Sequence, residues 1–110
     1  MNSSASPTTV NDLSFDSEVL RADRPVLVDV TATWCAPCRA AEPVLAELAR
    51  QRASTLKVVR IDGGESPALV ARLGVRGYPT FLFYEHGRET RRLARFRSSD
   101  ALRAFANGSA

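Results

Sequence analysis

Val26-Leu27-Val28-Asp29-Val30-Thr31-Ala32-Thr33-Trp34-Cys35-Ala36-Pro37-Cys38 is the stretch on which the fold turns. The run from Val26 to Val30 follows Pro25 and is too short and too β-branched for anything but a buried strand. Asp29 is the anomaly inside it, because a carboxylate among apolar neighbours carries a burial cost. After Cys35 the period of the pattern changes. Ala41, Val44, Leu45, Leu48 and Ala49 fall on helical spacing, which predicts an amphipathic helix from Ala36 to Arg52, kinked at Pro43. The cysteines therefore stand where a strand hands over to a helix. Cys35 lies at the positive end of the helix dipole, beside backbone N–H groups without helical partners, and those groups favour the thiolate, which is the nucleophile. Cys38 is one turn further in and on the same side. Two sulfurs so placed can form a disulfide, and the buried one can attack a mixed disulfide made by the other.

Outward from this stretch, residues 1–6 read as a disordered tail and Pro7 to Val10 as a short edge strand. Leu13, Phe15, Val19 and Leu20, mixed with acids, suggest a first helix from Asp12 to Leu20 capped by Asp12 or Ser14. A second strand from Leu56 to Ile61 ends at Gly63-Gly64. Ser66 then offers a cap and Pro67 a first-turn proline to a short helix that carries Leu69, Val70 and Leu73 and stops at Gly74. Thr80-Phe81-Leu82-Phe83-Tyr84 is apolar without alternation, as expected of a central strand covered on both faces. His86-Gly87 turns the chain into an arginine-rich strand from Glu89 to Phe96. Ser98, Ser99 and Asp100 open a closing helix with Ala101, Leu102 and Phe105 facing inward. From Val26 onward the order is β-α-β-α-β-β-α, an α/β fold with a central mixed sheet flanked by helices. Residues 7–110 are expected to form one domain, without repeats or a linker.

A chain of 110 residues with 45% hydrophobic and 25% charged content has room for one core and needs no disulfide framework to hold it. A bond between Cys35 and Cys38 would close a very short loop, which makes it a poor structural crosslink and a good redox device. Met1 to Val10 lacks the basic start and apolar stretch of a secretory signal, and no later run approaches the roughly 20 apolar residues of a membrane span. The expectation is a soluble cytoplasmic monomer, in a compartment where a CxxC is more often catalytic or metal-binding than structural. A tetrahedral zinc site would need two further ligands, and beyond the cysteine pair the chain offers only His86 in a turn, so neither a metal nor another cofactor is expected. Pairing Cys35 with His86 as a cysteine protease lacks an orienting partner, which leaves His86 as a solvent-exposed turn residue. The net charge of +3 comes with fifteen basic residues, all arginine but Lys57. Aromatic residues make up only 7% and no basic run is interleaved with them, which argues against a nucleic-acid partner.

Val28-Asp29-Val30, Trp34 to Cys38, Pro43 and Val75-Arg76-Gly77-Tyr78-Pro79-Thr80, with their spacings, resemble the thioredoxin family from Pro7 to Phe105. The resemblance implies a thioredoxin-like fold and a protein disulfide reductase, with disulfide-containing proteins as substrates and a thioredoxin reductase as electron donor. It makes Cys35 the attacking thiolate and Cys38 the resolving thiol. Asp29 would lie under the site and assist proton transfer to and from Cys38. Pro79 would be cis and opposite the CxxC, leaving the Tyr78 backbone free to pair with an extended substrate, while Trp34, Ala36 and Pro37 would face that substrate. Four positions depart from the family pattern. Ala36 replaces the commonest glycine, a small change that should preserve reducing character. Arg60 replaces a frequent lysine and, unable to give up its proton near neutral pH, should hold Asp29 ionised more firmly. Tyr78 replaces an aliphatic residue, and Arg95 replaces a glycine that lines the substrate groove. Two other classes stand beside the reductase. A binding module would present the loops around Trp34, Tyr78 and Arg95, and the intact CxxC and Asp29 argue against it. A thiol oxidase or isomerase would favour an exported chain and a more polar dipeptide between the cysteines.

Overall fold

Side-chain alternation along the strand from Val26 to Thr31 divides the protein into two apolar layers. The computed structural model describes residues 6–108, so most of the expected tail lies outside the described residues. Its elements are β1 (Thr8–Thr9), a π-helical turn (Asp16–Leu20), β2 (Val26–Thr31), α1 (Ala36–Gln51), β3 (Lys57–Asp62), α2 (Pro67–Leu73), β4 (Thr80–Glu85), β5 (Arg88–Leu93) and α3 (Ser99–Ala106). The sheet order is β1-β3-β2-β4-β5. β1, β3 and β2 run parallel, and β4 and β5 are antiparallel to their neighbours. One face buries Leu27, Val58, Phe81 and Phe83 against α1 and α3. The other buries Val28, Val30, Ile61 and Leu82 against Phe15, Val19 and Leu69. Asp29 and Arg60 alternate with Val28, Val30, Val59 and Ile61, which puts both on the α1 side of the sheet.

Several local expectations change. The first helix shortens to the π-helical turn, whose N-cap position is Phe15 with no side-chain capping bond, so neither Asp12 nor Ser14 caps it. Asn11 Oδ1 accepts from the N–H groups of Leu13 and Ser14 at 2.9 and 3.2 Å, and Ser14 Oγ accepts from the Asn11 N–H at 3.0 Å. Leu13 is 94% exposed, outside the apolar face it was expected to join. Ser66 occupies the cap position of α2, yet its side chain makes no capping bond. β5 ends at Leu93, short of Phe96, because its ladder partner β4 starts at Thr80, immediately after a proline that has no N–H to donate. Phe96 instead packs on the α1-side core. In α3, Ser98 Oγ caps the Ala101 N–H at 3.0 Å, and Leu102, Phe105 and Ala106 are buried while Ala101 is half-buried. α1 continues through Pro43 to Gln51. His86 and Gly87, with φ of 54° and 78°, make the two-residue hairpin turn whose backbone matches strand twist, and His86 is exposed as expected.

Candidate active site

Cys35 forms the N-cap of α1 with an extended backbone (φ −104°, ψ 113°), and its Sγ accepts from the Cys38 N–H at 3.2 Å. The sulfur thereby takes one of the donors a helix start leaves without a partner. Pro37 sits in the first turn, where its missing N–H forfeits no helical bond. Cys35 and Cys38 are joined as a disulfide with Cα atoms 5.2 Å apart. Cys35 keeps 6% of its surface and Cys38 none, while Thr33, Trp34, Ala36 and Pro37 around them are exposed.

The opposite wall comes from the segment that follows α2. Gly74 ends that helix in the left-handed region at φ 68°, which glycine adopts without a side-chain penalty. The chain then reaches a cis Tyr78–Pro79 peptide bond, and Thr80 Oγ1 donates to the Gly77 carbonyl at 2.8 Å. The Tyr78 ring packs on the cluster of Ala32, Cys35 and Cys38 and meets Trp34 edge to face, with centroids 6.0 Å apart. Gly63 receives the same ring, and a Cβ there would overlap it. Nothing in the sequence beyond a strand-ending Gly-Gly pair marked that role. Cys35, Cys38, Trp34 and Tyr78 thus come together, with Pro79 buried beside them. Arg95 is exposed in a bend beyond β5 and forms none of the ion pairs among the described residues.

Asp29, in β2, is 1% exposed, with Arg60 opposite it on β3 and Phe81 opposite it on β4. Neither carboxylate oxygen has a hydrogen-bond partner in the protein. Its pKa is pushed up from 3.8 to about 7, first by burial; the Arg60 charge pulls it down and the Glu42 charge pushes it up. The expectation from sequence is that Arg60 favours the ionised form of Asp29 more firmly than a lysine would. The arginine does act in that direction, but burial outweighs it, and no hydrogen bond joins the two side chains. An open hollow of about 340 Å³ has Arg60 in its wall together with Thr31, Arg39, Glu42 and Asp62.

Residues 6–108 match the family model described as Thioredoxin. A thioredoxin of Rickettsia bellii is 38% identical over 82 residues, covering 74% of this chain and 78% of that one. A thioredoxin of Pseudomonas aeruginosa is 45% identical over 78 residues, covering 71% and 72%. The solved structure of a mutant thioredoxin from Halobacterium salinarum superposes with a TM-score of 0.84 at 32% identity, over 99% of this chain and 95% of that one. The chain belongs to the thioredoxin family. It is a thioredoxin-type thiol-disulfide oxidoreductase, and the Cys35–Cys38 bond is the oxidised form of its redox pair.

As in the thioredoxin family generally, disulfides are the substrates and a reductase the source of electrons. Among the described residues no three His, Cys, Asp or Glu side chains gather as metal ligands would, and no helix is long and apolar enough to cross a membrane. Two residues near the pair escaped the sequence reading, Gly63 under Tyr78 and Glu42 beside the hollow. Glu42 did leave a signal, since it follows Cys38 by one helical turn on the same side of α1.

Proposed function

We propose that this thioredoxin-family chain works in the reducing direction, as a monomeric protein disulfide reductase of the cytoplasm whose residues 7–110 act as one domain. The Cys35 thiolate attacks one sulfur of a substrate disulfide and expels the other as a thiolate, leaving a mixed disulfide. Cys38 gives its proton to Asp29 and attacks the Cys35 sulfur, which releases the second substrate thiolate and forms the Cys35–Cys38 bond. A thioredoxin reductase then returns two electrons and two protons. Cycled in this way, the protein carries electrons to other proteins and contributes to cell redox homeostasis. A carboxyl that titrates near neutral pH can both take and return a proton at the operating pH, which is the property the second step requires of Asp29. The substrate lies against Trp34, Ala36, Pro37, Tyr78 and Pro79, with Arg95 at the margin, and no cofactor takes part.

The observation that carries this division of labour is the position of the Cys35 sulfur at the N-cap of α1, accepting the Cys38 N–H, with Cys38 wholly buried one turn inside. Cys38→Ser should accumulate covalent complexes with substrate on non-reducing gels, whereas Cys35→Ser should trap few and reduce no insulin with dithiothreitol or with NADPH and thioredoxin reductase. Equal trapping by the two variants removes the assignment.

A further inference from the structure

A buried acid that must take and release a proton needs a field that leaves both its forms accessible. Asp29 points to the α1 side of the sheet, with both oxygens unpartnered. The hollow lined by Arg60, the neighbour of Asp29 on β3, opens to solvent between the end of β2, the first turns of α1 and β3. Four charged side chains stand in its wall, and two of them are already engaged. Arg39 donates to the Thr33 carbonyl at 3.0 Å, and Asp62 accepts from the Gly64 N–H at 2.9 Å. Arg60, from β3, and Glu42, from α1, remain as opposed charges. Glu42 is exposed and enters none of the ion pairs among the described residues, so its charge is not neutralised by a contact partner. From β4 the neighbours of Asp29 are Phe81 and Thr80, which carry no charge.

Building on the relay role proposed for Asp29, we propose that Glu42 is a positioning residue for proton exchange at the buried carboxyl: across the hollow it opposes Arg60, the β3 neighbour of Asp29. Without Glu42 the arginine acts on Asp29 alone, the carboxylate form gains, and less of Asp29 holds a proton to return when the disulfide is reduced. The direction of the Glu42 influence on Asp29 agrees with this. Glu42 acts through Asp29 and touches neither sulfur in this scheme.

The test follows the Asp29 side-chain carboxyl of the reduced protein by carbon NMR across pH, together with the pH profile of the resolving step. Glu42→Gln should move the Asp29 midpoint and the kinetic midpoint to lower pH by roughly 0.5–1 unit, equivalent to about 0.7–1.4 kcal/mol. Glu42→Lys should move both further, and Glu42→Asp should restore much of the parental profile. Because position 42 is exposed, these variants should fold like the parent. An Asp29→Asn variant that resolves mixed disulfides at the parental rate overturns the relay reading and takes this proposal with it. A slowed Asp29→Asn variant, beside an unmoved Asp29 midpoint in both Glu42→Gln and Glu42→Lys, overturns the proposal alone.

Discussion

Asp29 beside Arg60 and Glu89 beside Arg92 are two acid–arginine juxtapositions on one sheet, and they are built in opposite ways. Arg92 grips Glu89 with two bonds, Nε to Oε2 at 2.6 Å and a terminal nitrogen to Oε1 at 2.7 Å. The same guanidinium donates to the carbonyls of Leu73 and Gly74 at 2.8 and 3.2 Å. Those carbonyls belong to the end of α2, where a helix leaves acceptors without partners. The pair therefore ties α2 to β5 just ahead of the segment that carries Tyr78 and Pro79, and donating to the Glu89 carboxylate holds Arg92 above its ordinary pKa. Asp29 and Arg60 are direct neighbours across β2 and β3, yet the carboxylate oxygens and Arg60 Nε are all without partners. A saturated pair fixes an element in place. An unsaturated one leaves its acid free to change protonation state, which is what a redox site drawing on protons requires.

The contrast breaks most visibly in stability against pH. The folded-state pKa of Asp29, about 7, lies above its ordinary 3.8, so between those values the folded protein holds a proton that the unfolded chain has released. Stability should therefore fall as pH rises from about 4 to about 7 and level off above, with a total loss on the order of 4 kcal/mol at about 1.36 kcal/mol per pH unit. Asp29→Asn should abolish that slope and be the more stable protein at pH 8, since it removes a buried charge without a partner. Urea midpoints of the oxidised proteins across pH measure this. A variant that keeps the parental slope would mean that Asp29 is not the group responsible.

Glu89–Arg92 should behave in the opposite sense. Arg92→Ala should cost about 1–2 kcal/mol, the sum of charge-assisted bonds discounted for partial exposure, and the loss should be the same at pH 5 and pH 8 because an arginine keeps its charge throughout that range. Glu89→Gln should cost less, as the bonds from Arg92 to Leu73 and Gly74 remain. If Arg92→Ala left the urea midpoint unchanged, the link between β5 and α2 would contribute no net stability.

Much of this contrast lay beyond the sequence. β2, α1 and the CxxC were legible because each rests on a local pattern: a β-branched run, helical spacing of Ala41, Val44, Leu45 and Leu48, and two cysteines one turn apart. Asp29 was legible as an intrusion into an apolar strand. Its protonation was not, because burial and Arg60 act in opposite directions and only the packed structure decides which prevails. The end of β5 was misplaced for a similar reason. Leu93 and Phe96 look alike as apolar residues, but only Leu93 has a ladder partner, Phe81. The receipt of Tyr78 by Gly63 joins segments distant in the chain and left no trace in either.

Arg95 supplies the smallest and sharpest test, because it is an arginine without the bonds of Arg92 or the buried acid beside Arg60. It stands exposed after β5 and outside the ion pairs of the described residues, so Arg95→Gly should change stability by no more than about 0.5 kcal/mol. A free surface cation has one remaining way to matter, which is its field on an approaching substrate. If Arg95 borders the path of the substrate, the protein should favour peptides with acidic residues flanking their cysteines. That preference should fade as salt shortens the screening length from about 10 Å at 0.1 M to about 3 Å at 1 M. Arg95→Gly should then flatten the salt dependence with acidic peptides and speed the reduction of insulin by removing bulk. The competing use of such a charge is to keep the edge strand β5 from pairing with another chain, which would alter solubility and leave rates untouched. Parental rates and salt response in Arg95→Gly, with solubility alone changed, would assign Arg95 to edge protection and confine substrate recognition to Trp34, Tyr78 and the residues between the cysteines.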